Sequence, residues 1–157
     1  MGDSATLSLI KDKLKEYNIN ASKVIFEVTE SIAINNITLA AEFLSQLQKL
    51  GCQTALDDFG AGYSSFSYLK DLPVNFVKFD GSYVQNLTSD SVKRAIVVAM
   101  NDVAHALGRK TIAEFVEDQK TLNELQTIGI DYCQGYYTGK PRNLDSTAPG
   151  NVVYLRK

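Results

Sequence analysis

Ala55-Leu56-Asp57-Asp58-Phe59-Gly60-Ala61-Gly62-Tyr63-Ser64-Ser65 ends an apolar run in two adjacent carboxylates and leads into a glycine-rich turn. Taking two neighbouring anions out of water is costly unless a cation or several hydrogen bonds compensate. The pair therefore points to a bound divalent metal. The ends of the other β-rich runs repeat the anomaly: Glu27 and Glu30, Lys78 and Asp80, Glu114 and Glu117, and finally Gln134. Gathered in one place, so many acids repel strongly, and divalent cations are the simplest remedy. With no histidine or cysteine at ligand spacing, oxygen donors favour a hard ion, Mg²⁺ or Mn²⁺.

Neighbouring side chains on a regular strand point to opposite faces, so Asp57 and Asp58 can share a site only where the strand ends or bulges. Gly60 and Gly62 supply the backbone freedom. One carboxylate could then bridge two metals while its neighbour binds the second, an arrangement suited to cleaving phosphodiesters. Lys78 suits a place beside them, holding a water or the charge that develops on phosphate.

Helical and β-rich patterns alternate along the chain and position these residues. A first helix carries Leu7, Ile10, Leu14 and Tyr17, and a strand follows at Val24–Glu30. The next helix is capped near Asn35 or Asn36 and stops at Gly51, as a glycine after the last periodic residue should. Strands are predicted at Thr54–Phe59, Phe76–Asp80, Thr111–Val116 and Asp131–Gln134. Between them lie a short helix at Ser65–Leu69, a long one at Ser91–Leu107 and one carrying Leu122, Leu125 and Ile128. Alternation of this kind means an α/β fold with a parallel sheet covered by helices. The pattern alone leaves a doubly wound sheet and part of a barrel equally open. In either, the C-terminal strand ends form the active face.

The chain has 157 residues, 45% hydrophobic and 22% charged, with a net charge of −2. That suits one domain with a real core and gives DNA no basic surface. No apolar run approaches the about 20 residues that span a bilayer. Cys52 and Cys133 read as buried free thiols rather than a disulfide. Taken singly, several residues have plainer readings: Asp57 or Asp58 as a helix cap, Lys78 as a snorkelling core-edge lysine, Glu30 and Glu117 as loop supports. His105 sits mid-helix with no evident partner and reads as structural. Tyr136-Tyr137 reads as rim packing. The acids escape this discount because successive strands carry them at the same end.

Glu27-Val28-Thr29-Glu30-Ser31, the Asp57–Ser65 run, Lys78-Phe79-Asp80, Ala113-Glu114-Phe115-Val116-Glu117, Gln134-Gly135-Tyr136 and Gly139-Lys140-Pro141 occur in that order. Together they resemble the EAL-domain phosphodiesterases, which linearise the bacterial second messenger cyclic di-GMP. The resemblance implies a partial TIM-like (β/α) barrel, the last five βα units of an EAL-type barrel. It gives one truncated domain over 1–157, with the motifs within about 3–141 and a C-terminal tail at 142–157. It implies metal ligands at Glu27 (first metal), Asp57 (shared), and Asp58 and Glu114 (second metal). Lys78 would contact the hydrolytic water, Glu114 would double as general base, and Gln134 would lie near the water. Glu30 and Glu117 would act as supporting acids around the site, with Asp80, Gly60 and Gly62 shaping its loops. Tyr63 and Pro141 are candidate substrate contacts. The loop Asp58–Ser65 is linked in the family to dimerisation and control of activity.

The departures set the remaining expectations. Neither Glu-Ala-Leu nor Asn-Leu-Ser occurs in these 157 residues, and each supplies a first-metal ligand in the family. Phe79 replaces a usual isoleucine and Phe115 a common glycine, and both look tolerable. The expectation is a cytoplasmic domain that binds cyclic di-GMP but hydrolyses it weakly or not at all alone. An open barrel should expose strand edges and self-associate, with strand exchange as one route. A fused sensory or diguanylate cyclase domain is a possible companion. Two other readings remain: a non-catalytic nucleotide-binding or protein-interaction module, and an unrelated two-metal phosphohydrolase on a doubly wound sheet.

Overall fold

In a computed structural model, residues 4–62, 66–141 and 152–154 are described. Strands β1 (Ile25–Thr29), β2 (Gln53–Phe59), β3 (Phe76–Phe79), β4 (Lys110–Ala113) and β5 (Tyr132–Gln134) lie side by side in chain order, all parallel. A doubly wound sheet reverses its strand order at a switch point. Here the order never reverses, so the sheet is an arc of a barrel. That settles the alternative left open by periodicity.

The helices are α1 (Ser4–Glu16), α2 (Glu30–Asn35), α3 (Ile37–Lys49), α4 (Gly81–Val84), α5 (Ser91–Ala106) and α6 (Gln119–Ile128). Their capping follows local chemistry. Asn36 accepts the Leu39 amide at the start of α3, and Asp90 accepts the Val92 and Lys93 amides at the start of α5. Asp118 caps α6 through the Thr121 amide, a hydrogen bond that also holds its carboxyl below the usual range.

Alternation along the strands makes two layers of core. Leu56, Val77, Phe79, Ala113 and Cys133 pack outward against Leu44, Leu47, Val97, Met100 and Leu125 of the helices. On the opposite face, Ala55, Phe76, Ile112 and Tyr132 form their own buried cluster, with the Phe76 and Tyr132 rings edge-on at 5.8 Å. Two residues further along stand Asp57, Lys78 and Gln134 on their strands and Glu114 just past the end of β4. The inward face thus carries an apolar layer that supports a polar one, as barrel interiors do.

Where the sequence reads as strand through Glu30, β1 stops at Thr29 and Glu30 begins α2, because its carboxylate is drawn away to a distant loop. β4 ends at Ala113 rather than Val116, since Phe115 adopts φ 54° and turns the chain out of the sheet. The short helix expected at Ser65–Leu69 is a 3-10 helix at Phe66–Asp71, with Ser65 outside the described residues. Within the tail at 142–157, a strand β6 (Val152–Tyr154) pairs antiparallel with β5.

Both cysteines are free and buried, and burial pushes the Cys133 thiol up to about 11. His105 does have a partner, contrary to the reading above. Its Nε2 lies 2.8 Å from Oδ2 of Asp131, which also accepts the Thr111 amide at 2.9 Å, while the Thr111 hydroxyl donates to Asn101. Thr111 and Asp131 stand at the starts of their strands, the end of a barrel that serves stability rather than chemistry. No helix among the described residues is long and apolar enough to cross a membrane.

Candidate active site

The Asp57-Asp58 pair sits on the bulge that its sequence requires. Leu56 faces Val77 and Phe59 faces Phe79, so β2 spends three residues where β3 spends two. Asp58 itself takes φ 56°, and Gly60 follows at φ 96°. The freedom predicted for the glycines is therefore shared with Asp58, whose short polar side chain tolerates the left-handed region. This turn brings one carboxylate oxygen each from Asp57, Asp58 and Glu114 within 4.8 Å of one another.

Lys78 stands at the centre, 5% exposed, with Nζ 2.7 Å from Glu27, 2.8 Å from Glu114 and 2.9 Å from Asp57. Burial pulls its pKa down, but the adjoining carboxylates of Glu114, Glu27 and Asp57 outweigh that and hold it above the ordinary lysine value. Asp57 Oδ1 is buried and, although 2.9 Å from Nζ, is not aligned for a hydrogen bond. The contact is ionic, and the oxygen keeps an unsatisfied lone pair. Burial pushes the Asp58 carboxyl up, with the negative Asp57 and Asp80 adding to it. Burial likewise raises Glu114, against the pull of Lys78. Raised, crowded carboxyls and a buried oxygen without a hydrogen bond fit a hard divalent cation held by Asp57, Asp58 and Glu114.

The loop behind Asp58 is held by residues remote in sequence. Glu30, 4% exposed, accepts the Gly60 amide at 3.1 Å and a short hydrogen bond from the Tyr68 hydroxyl. Tyr83 donates to the Gly60 carbonyl at 3.0 Å. Gly60 is thus held through both its amide and its carbonyl. Sequence reasoning singled out Glu30 but neither tyrosine, and no local pattern marks them. Asp80 caps α4 through the Ser82 amide and joins Glu30, Asp58 and Gly62 around a cleft of about 460 Å³.

Gln134 and Glu117 line a second cleft beside Glu114. Gly135 makes that possible: a Cβ there would fall 2.3 Å from the Val116 backbone, whose amide donates to the Gln134 carbonyl. Pro141 is exposed and lines neither cleft. Tyr63 lies outside the described residues. The strands therefore bring together Glu27, Asp57, Asp58, Lys78 and Glu114, flanked by Gln134, Glu117, Asp80 and Glu30.

Comparison with known proteins gives this geometry a family. The cyclic di-GMP phosphodiesterase PdeB of Shewanella oneidensis is 44% identical over 146 residues, 93% of this chain and 17% of PdeB. The chain thus spans about a sixth of that relative. Among solved structures, the PaMucR phosphodiesterase in complex with c-di-GMP matches at 33% identity and TM-score 0.84, covering 90% of this chain and 57% of that one. A Klebsiella pneumoniae BlrP1 complex with manganese and cyclic di-GMP matches at 30% identity and TM-score 0.82, covering 88% and 35%. The EAL domain family model matches residues 1–141. On that match, with the acid-bearing strand ends in their barrel order, the chain belongs to the EAL-domain family.

Proposed function

We propose that this chain forms the acid-bearing part of a cyclic di-GMP phosphodiesterase, binding the cyclic dinucleotide over a divalent-metal site. The observation that carries the reading is the convergence of Asp57, Asp58 and Glu114 oxygens within 4.8 Å beside the buried Lys78. Relatives that carry cyclic di-GMP, one of them with manganese, support the ligand and the metal class. Mg²⁺ or Mn²⁺, when bound, neutralises phosphate charge and acts as a Lewis acid.

The side chains divide the remaining work. Glu114, its pKa raised by burial, accepts the proton of the attacking water. The water oxygen adds to phosphorus as the P–O3′ bond breaks, and the 3′ oxygen takes a proton from solvent, giving the linear dinucleotide. Lys78 donates hydrogen bonds to that water and to the developing charge, and Gln134 orients the water from the neighbouring strand end. Glu27 serves a first metal whose other ligands would come from Glu-Ala-Leu and Asn-Leu-Ser.

These 157 residues contain neither motif, so the polypeptide alone should bind cyclic di-GMP and turn it over little. Chromatographic assay of linear product with Mg²⁺ or Mn²⁺ tests this, and robust turnover would contradict it. β1 pairs only with β2 among the described strands and leaves Ile25 41% exposed, which favours self-association. Sedimentation of the assayed sample should show a dimer or larger species, and a clean monomer would oppose it. A cytoplasmic setting, where such a second messenger is made and read, belongs to the same proposal.

A further inference from the structure

Phe115 combines two costly features that core packing does not explain. Its backbone sits in the left-handed region at φ 54°, a conformation bulky residues rarely take. Its side chain is nonetheless 54% exposed, so the strain does not serve to bury the ring. Backbone strain of this kind persists where the surrounding structure enforces it, often at ligand sites. Gly81 makes room for the result: a Cβ at Gly81 would lie 2.3 Å from the Phe115 ring, so the ring fits only because that position has no side chain.

The ring forms one wall of the cleft lined by Glu114, Phe115, Glu117, Gln134, Gly135 and Tyr136. Tyr136 adds a second aromatic wall, 62% exposed, with Lys140 Nζ 5.4 Å from its ring centre. The cleft is about 260 Å³. That is below the about 300–1,000 Å³ of sites for whole drug-sized ligands. It suits one planar base rather than an entire cyclic dinucleotide. Because Glu114 and Gln134 border it, a base held there leaves its attached phosphate near the acids.

We propose that Phe115 is a base-stacking residue: its ring, seated against the bare backbone of Gly81, receives one guanine of the cyclic dinucleotide in the cleft beside Glu114. The inference rests on the cyclic di-GMP reading above. Aromatic rings hold bases chiefly by stacking, at about 1–3 kcal/mol per base.

Calorimetric titration of cyclic di-GMP in Ca²⁺, which permits binding without turnover, tests it on the full chain. Phe115→Gly should raise Kd about tenfold or more, while Phe115→Tyr, which keeps a stacking ring, should stay within about threefold. Gly81→Ala should also weaken binding, since the new methyl displaces the ring with Phe115 intact. Phe115→Gly removes a strained residue and should melt no lower than the unsubstituted chain. Unchanged affinity in Phe115→Gly overturns the stacking role and leaves the cyclic di-GMP reading standing. Loss of melting temperature with unchanged affinity shows a structural ring and overturns it as well. Absence of binding by the unsubstituted chain overturns both.

Discussion

Replacing Lys78 with methionine in the metal-free chain is expected to lower its stability to denaturant by about 2–4 kcal/mol. Methionine keeps most of the volume but leaves the Asp57 and Glu114 carboxylates without the cation they share. Their side chains are 22% and 13% exposed, so solvent relieves only part of the penalty, whereas Glu27 at 42% is largely compensated by water. The deficit should shrink as Mn²⁺ is added, because a divalent ion supplies the missing positive charge.

It should also shrink on acidification. Glu114 already titrates above its ordinary value in the fold, so the folded state takes up its proton before the unfolded chain does. Stability from that group therefore rises as pH falls through the raised folded value, and losing Lys78 raises that value further. Urea melts of both proteins at pH 7 and at a pH near 5, with and without Mn²⁺, measure all of this. A variant as stable as the parent without metal at pH 7 would remove Lys78 from the electrostatic centre of the site.

Glu30→Ala is the second large effect, expected to cost about 2–4 kcal/mol. Glu30 is buried and serves two donors at once, the Gly60 amide and the Tyr68 hydroxyl, which both lose their acceptor inside the protein. Removing a carboxylate from a site otherwise rich in acids would relieve repulsion if charge alone mattered. The hydrogen bonds decide the sign. The consequence extends to the site, because the turn that Glu30 holds also fixes the left-handed Asp58. Denaturant melts should therefore be accompanied by weaker Mn²⁺ uptake, and Tyr68→Phe should reproduce only part of the stability loss. Equal stability of Glu30→Ala and the parent would deny this clamp.

The candidate site was legible in the sequence because its residue types repeat. Acids at the same end of successive β-rich runs mark one face without any knowledge of strand order, and adjacent Asp57 and Asp58 imply a bulge from the alternation of side chains alone. The order itself was not legible from pattern, since alternation reports which way each side chain points and not which strand lies beside which. Motif resemblance supplied the barrel. Contacts between distant residues left no local trace: Tyr68 reaches Glu30 across 38 positions, and His105 meets Asp131 across 26. Boundaries failed where tertiary contacts overrode propensity. The β-rich run through Val24–Glu30 gives no sign that Glu30 opens a helix, and the apolar run through Val116 conceals the reversal at Phe115. Val152-Val153-Tyr154 has β-forming residues, but three residues are too few to stand out from a tail.

The central claim is that Asp57, Asp58 and Glu114 hold a divalent cation. Titration of Mn²⁺ into the chain, followed by the paramagnetic resonance signal of the free ion, tests it most directly, with Asp57→Asn as the control. The parent should take up Mn²⁺ saturably, and Asp57→Asn, still melting cooperatively, should lose that uptake. No uptake by the parent, or equal uptake by Asp57→Asn, would contradict the account.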